Sequence, residues 1–377
     1  MKEQTATARK YLSGIEALRA YAALSIVAFH VIHILGLSPA GVLGFVKWNA
    51  GFGVPLFFCI SAFSLAYGYT GRLETMDQVK WFYLRRLCRI APLYYAVLLF
   101  MIGVYIFNRY HLSPTTLLLN TTFLFNLSPQ DIDGMVPASW SIGVEMLFYA
   151  LLPLILLLTR RWVAAIAVTL LAVAVGARNE IGLGTFDPKE GPEIWHSLSF
   201  NLPYFMLGLL AYKGFVIARL RWPRHALQFS IGSIAAGLAV IAALNITGDT
   251  TFPVLMAAHI RILYDIVWGV GFALICLGMA LTRLPILAAA PMLFLGRISF
   301  SLYLLHPHIV NYGKQWGLFD WLATVADKNS AAYFGLSYAI VLAILVPLAW
   351  LSYRFIEVPG MALGRRLHDK YGAAQPA

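Results

Sequence analysis

Charge is scarce in this chain. Asp, Glu, Lys and Arg make up 12% of its 377 residues, against about a quarter in ordinary soluble domains. Hydrophobic residues reach 60% and recur in runs along the whole length, which excludes a water-soluble globule. Cysteine is nearly absent: Cys59, Cys88 and Cys276 form an odd set, so no disulfide framework is expected. Cys88 has no paired base beside it in the sequence and does not read as a nucleophile. An internal repeat, a low-complexity tract and a glycine-rich phosphate loop are all missing.

What is present is a series of apolar windows about twenty residues wide. They place ten spans, near 16–36, 51–70, 91–108, 138–158, 162–177, 197–215, 226–246, 260–281, 297–313 and 331–355. The fold class they predict is all-α, a polytopic transmembrane helix bundle. The first run follows Lys2, Arg9 and Lys10, yet it is too long and too polar for a secretory leader, so it reads as a retained helix. With the N-terminus in the cytoplasm, most of the 28 Lys and Arg face inward, including Arg72, Lys80, Arg85, Arg86, Arg89, Arg365 and Arg366. Acidic residues collect outside at Asp131, Asp133, Glu180, Asp187, Glu190, Glu193, Asp249, Asp320 and Asp327. An even number of spans then leaves both termini cytoplasmic. The same asymmetry accounts for the net charge of +11 without a nucleic-acid partner. The outer connections near 109–137 and 178–196 are too short for cores of their own. One integral-membrane domain over 1–377 is expected, with no separate soluble domain.

Polar groups inside the spans carry the chemistry, because each is costly in lipid unless it faces a bundle interior or water. In "LRAYAALSIVAFH", Arg19 and His30 fall on one helical face, roughly 16 Å apart along the axis. Arg19 fits either a functional cation or a side chain snorkelling to the headgroups. His30, deeper in the bilayer, fits either a base or a bridge between helices. His33 lies one turn further, but no third and fourth ligands accompany the pair, so no metal site is expected. In "WFYLRRLCRIAPLYY", Arg86 and Arg89 project from one side of a short helix, with Arg85 beside them. Positive-inside anchoring is one reading; a guanidinium fork for phosphates of a cytosolic ligand such as coenzyme A is the other. In "PASWSIGVEMLFYALLP", Ser141 and Glu145 share a face, near Trp140 and Tyr149, and Glu145 needs a partner, a proton or water. The last cluster comprises Ser299, Tyr303 and His306, which precedes Pro307, together with Glu357.

In this order the residues resemble acyltransferase family 3, membrane proteins that O-acylate sugars and related acceptors. The resemblance runs from Leu12 to Pro359. The family's basic residue and histidine match Arg19 and His30. Its helix-two element matches "FFCISAF", Phe57 to Phe63, with Ala62 where glycine is usual. Its RxxR motif falls on Arg86 and Arg89, and its SxxxE motif on Ser141 and Glu145. "GRISFSLYLLH", Gly296 to His306, and "EVP", Glu357 to Pro359, complete the set, while the usual "DGLR" reads "EALR". The resemblance implies a bacterial inner-membrane enzyme that moves an acyl group, most often acetyl, from acyl-coenzyme A to a carbohydrate or lipid-linked sugar hydroxyl. No bound cofactor is implied beyond that donor. With it comes a division of labour in which the arginine pair holds the coenzyme's phosphates and His30 accepts the hydroxyl proton. Arg19 would bind the donor or set the site's charge. Glu145 would orient His30 or bind the acceptor. Direct transfer and an acyl-enzyme relay both stay open. A secondary transporter or flippase of lipid-linked sugars is the rival, although it would more often show matched broken helices in related halves.

Overall fold

The computed structural model describes residues 11–38, 41–182, 192–257 and 261–371. Lys2, Arg9, Lys10, Asp187 and Glu190 lie outside them, as do the side chains of Glu193 and Asp249. Among the described residues the chain is all helical. It runs α1 (Ser13–Leu35), α2 (Val42–Asn49), α3 (Gly53–Tyr69), α4 (Met76–Phe107), α5 (Pro114–Thr121), α6 (Trp140–Leu158) and α7 (Trp162–Gly182). It continues through α8 (Pro192–Trp195), α9 (Leu198–Arg221), α10 (Ala226–Ala257), α11 (Ile262–Leu281) and α12 (Ala290–Arg297). The last elements are α13 (Ser299–Gln315), α14 (Ala331–Ser352) and α15 (Val358–Tyr371). Among the described residues nine helices are long and apolar enough to cross a membrane, or up to ten with one bent pair counted as a single span. Side chains such as Leu99, Ile106 and Phe107 stay exposed on the outside of the bundle, as a lipid-facing surface requires. This is a multi-pass membrane protein.

Two expected spans differ in shape. The arginine cluster does not sit on a separate short helix: α4 starts at Met76 and carries Arg85, Arg86 and Arg89 straight into the span. Its start is a capping box, in which the Thr75 hydroxyl accepts from the Gln78 N–H and the Gln78 side chain returns to the Thr75 N–H. The expected span at 297–313 is broken, with α12 and α13 meeting at 74°. The break is held against α1, because Gly296 packs on the Glu16 carbonyl so closely that a Cβ would stand 2.0 Å from its oxygen.

Part of the connection 109–137 is buried in the bundle. Tyr94 and Tyr95, in the middle of α4, donate to Asn120 Oδ1 at 3.1 Å and to the Thr121 carbonyl at 2.6 Å. Asn120 Oδ1 also accepts from the Met135 N–H at 2.8 Å, and Asn120, Phe125 and Val136 are fully buried. The segment therefore folds back into the bundle, and its buried amide is satisfied from both sides. Helix α1 lies centrally, against α3, α11, α12, α13 and α14. It ends at Gly36 in the left-handed conformation (φ 67°), whose N–H bonds the His33 carbonyl.

Close helix contacts rest on small residues, as expected where lipid supplies no hydrophobic drive for association. A Cβ on Gly208 of α9 would come within 2.2 Å of the Cys59 carbonyl oxygen on α3. Gly208→Val is expected to cost about 1–3 kcal/mol through overpacking. The measurement is the melting temperature in detergent, which falls for this variant and holds for Gly232→Ala, where a Cβ meets open space.

Candidate active site

Three cavities follow one another through the bundle. At one end is a basic mouth of about 730 Å³, lined by Arg72, Lys80, Arg85, Arg86, Arg89 and Arg19. It shares Arg19, Ser64, Leu65, Arg86 and Arg89 with a neck of about 90 Å³. The neck in turn shares Val54 and Tyr303 with a vestibule of about 600 Å³ towards the opposite end. His30 lines the vestibule and Arg19 the neck and mouth, so one helix places an arginine and an imidazole at successive stations.

The lining of the mouth is rich in cations. Arg86 lies between the rings of Tyr69 and Tyr149, 5.7 and 6.0 Å from their centroids, and its Nη2 reaches the Tyr69 hydroxyl at 3.4 Å. Its Nε is buried and takes no hydrogen bond within the protein. Arg89 lines both mouth and neck. Arg85 does not join that pair inside: it is exposed, donates from Nε to the Trp81 carbonyl at 3.3 Å and borders the mouth alone. Arg19 donates to the Ser64 hydroxyl at 3.2 Å and stands 3.9 Å from Glu16.

In the neck, Ser141 and Glu145 do share one face of α6. Of the two roles expected for Glu145, orienting His30 or binding the acceptor, the first finds no contact here. Glu145 Oε1 accepts from Ser61 Oγ at 2.6 Å and from the Tyr149 hydroxyl at 2.5 Å, which supplies partners for a half-buried carboxylate. Ser141 Oγ lies 2.7 Å from the Tyr303 hydroxyl, which donates to the Ala138 carbonyl at 2.8 Å. Ser299 lines the neck. Glu357 is buried away from it, in a π-helical turn (Tyr353–Glu357) between α14 and α15, and accepts from Ser301, not from Ser299.

His30 finds its partner on α13 instead. His306 Nε2 lies 3.0 Å from His30 Nδ1, and His306 Nδ1 lies 2.5 Å from the Tyr303 carbonyl. Pro307 has no N–H, so it leaves that carbonyl without its helical donor, and the imidazole before it takes the place. A carbonyl only accepts, so His306 carries its proton on Nδ1 and offers Nε2 as an acceptor. His30 must then donate from Nδ1, which also lies 3.0 Å from the Ile26 carbonyl. The remaining lone pair, on His30 Nε2, belongs to a ring that borders the vestibule. That is the tautomer a proton acceptor requires.

The vestibule contains groups the sequence reading passed over. Asp133 Oδ1 and His196 Nδ1 are 2.5 Å apart. Trp140 stacks on the His196 ring at 4.0 Å and 15°. Arg261 Nε pairs with Asp265 at 3.1 Å and covers the Trp195 ring at 3.4 Å. Asp265 was findable, since a carboxylate inside the apolar run "LYDIVW" is the same signal that singled out Glu145. The Asp133–His196 pair joins two outer connections and leaves no local pattern.

A family model described as an acyltransferase domain matches residues 12–354. ORF330 of Acidianus two-tailed virus, whose name assigns it provisionally as an acetyltransferase, is 28% identical over 311 residues, 81% of this chain and 85% of that protein. O-acetyltransferase OatA of Staphylococcus aureus is 25% identical over 386 aligned positions, which cover 93% of this chain and 57% of that protein. Peptidoglycan O-acetyltransferase OatA of Listeria monocytogenes is 27% identical over 179 residues, 43% of this chain and 27% of that protein. The chain thus spans little more than half the length of the staphylococcal relative. No solved structure matches.

Proposed function

The chain belongs to the acyltransferase-domain family, and on that premise we propose that it is a membrane O-acetyltransferase. It takes acetyl from cytosolic acetyl-coenzyme A at the basic mouth and delivers it to a carbohydrate hydroxyl in the vestibule. The observation that carries this reading is the series of mouth, neck and vestibule, with a guanidinium pair at one end and an oriented imidazole at the other. The names of the staphylococcal and listerial relatives support O-acetyl transfer and a cell-wall type of acceptor.

Arg86 and Arg89 hold the coenzyme's phosphates, where a planar, permanently charged fork suits a pyrophosphate. The pantetheine arm threads the neck past Ser141 and Tyr303, bringing the thioester to the edge of the vestibule. His30 Nε2 takes the acceptor hydroxyl proton as the oxygen attacks the thioester carbonyl carbon. The C–S bond then breaks, and the departing thiolate recovers the proton from the imidazolium. His306 acts through His30 by holding its proton on Nδ1. His306→Ala is expected to lower kcat by about 10–100-fold, the loss seen when a partner that orients a functional histidine is removed. The KM for acetyl-coenzyme A stays unchanged, which initial-rate kinetics checks.

The direct test uses purified protein in nanodiscs with radiolabelled acetyl-coenzyme A and carbohydrate extracted from the cell envelope. Coenzyme A release together with labelled carbohydrate is expected. Absence of binding and turnover with acetyl-, succinyl- and longer acyl-coenzyme A would overturn the reading and restore the transporter.

A further inference from the structure

The acceptor side holds a second imidazole that the transfer step above does not use. His196 borders the same vestibule as His30, and several contacts fix it. Asp133 occupies its Nδ1, Trp140 lies flat on its ring, and Asn126 Nδ2 donates to its backbone carbonyl at 2.7 Å. A carboxylate that binds Nδ1 leaves Nε2 as the ring's working nitrogen, which accepts a hydrogen bond from a hydroxyl when the ring is neutral and donates one to it when the ring is charged. Asp133 is 60% exposed, so its second oxygen is accessible from the vestibule as another acceptor.

We propose that the Asp133–His196 pair is the acceptor-binding element of the vestibule, hydrogen-bonding hydroxyls of a neutral sugar and thereby presenting one hydroxyl to His30. The inference rests on the function proposed above. The cavity's size lies within the range of about 300–1,000 Å³ usual for ligand pockets. Its wall includes Trp48, 71% exposed, whose ring suits the apolar face of a pyranose, while His196 takes one face of Trp140 and Arg261 one face of Trp195. Its charge selects against anions: among the described lining residues Arg261 is the one cation, paired with Asp265, and Asp133 adds a second carboxylate. Acceptor groups that face hydroxyls discriminate well, because a ligand lacking the hydroxyl leaves them unpaired.

The experiment measures initial rates in nanodiscs, varying envelope carbohydrate extract and acetyl-coenzyme A separately, for wild type, His196→Gln and Asp133→Asn. The apparent KM for the carbohydrate is expected to rise at least about tenfold in both variants, as lost hydrogen bonds to charged or charge-paired groups do. The KM for acetyl-coenzyme A should stay within about twofold of wild type, which also shows that the variants fold. An unchanged carbohydrate KM overturns the proposal, and so does an equal rise in both constants, which marks a structural role. If wild type itself turns over no acetyl-coenzyme A, the proposed function fails first, and this assignment falls with it.

Discussion

Replacing His30 by alanine takes acyl transfer down by about 10²–10⁴-fold, the usual worth of a positioned general base, while acetyl-coenzyme A still binds. The two effects separate because the imidazole borders the vestibule, whereas the guanidinium pair lies across the neck. The substitution also removes the group that donates to His306 Nε2. An acceptor left unpaired in a buried site costs about 1–3 kcal/mol, so the melting temperature drops somewhat as well. Equilibrium binding of labelled acetyl-coenzyme A therefore serves as the check on folding, and coenzyme A release as the readout. Turnover retained in the variant would move the proton-accepting role to another vestibule group, and the tautomer chain from Tyr303 through His306 would lose its purpose.

The second large effect belongs to the mouth. Arg86→Ala combined with Arg89→Ala weakens acetyl-coenzyme A binding by about a hundredfold or more, since each charge-assisted hydrogen bond is worth about 1.5–3 kcal/mol. At saturating donor, kcat changes little, because neither side chain lines the vestibule. Arg85→Ala is the control: that side chain is exposed and borders the mouth alone, so its loss is screened and small. Arg86 also stands over two tyrosine rings, and some loss of packing accompanies its removal. The Arg89→Ala single variant isolates binding from that contribution. Isothermal titration of the three variants beside the wild type decides; equal affinity in the double variant would return both residues to membrane anchoring.

The bundle is legible in the sequence because the cost of burying charge in lipid acts on every window independently of partners. The helix-face argument also holds for Ser141 and Glu145, which reach the same neck. It fails where the partner is distant. Nothing near Glu145 indicates Ser61, which lies 84 positions earlier, and nothing near His30 indicates His306, 276 positions later. The role of Pro307 is legible only once the freed carbonyl and the neighbouring ring are seen together. The partial burial of 109–137 escapes a hydropathy window because Asn120 counts there as a polar residue, although its amide is fully bonded inside.

The narrow neck has a consequence for the cell's energy supply. A bundle with spacious cavities at both ends is one widened constriction away from being a channel, and a continuous water file between two faces of a membrane would discharge a proton gradient. Here the constriction is about 90 Å³ between spaces of about 730 and 600 Å³. Tyr303 borders both the neck and the vestibule, its hydroxyl tied to Ser141 and to the Ala138 carbonyl. On the proposed function, a slender acyl chain on its pantetheine arm would fill such a gap while it passes, acting as its own plug. The barrier would then be kept by the hydroxyl pair between turnovers and by the cargo during them.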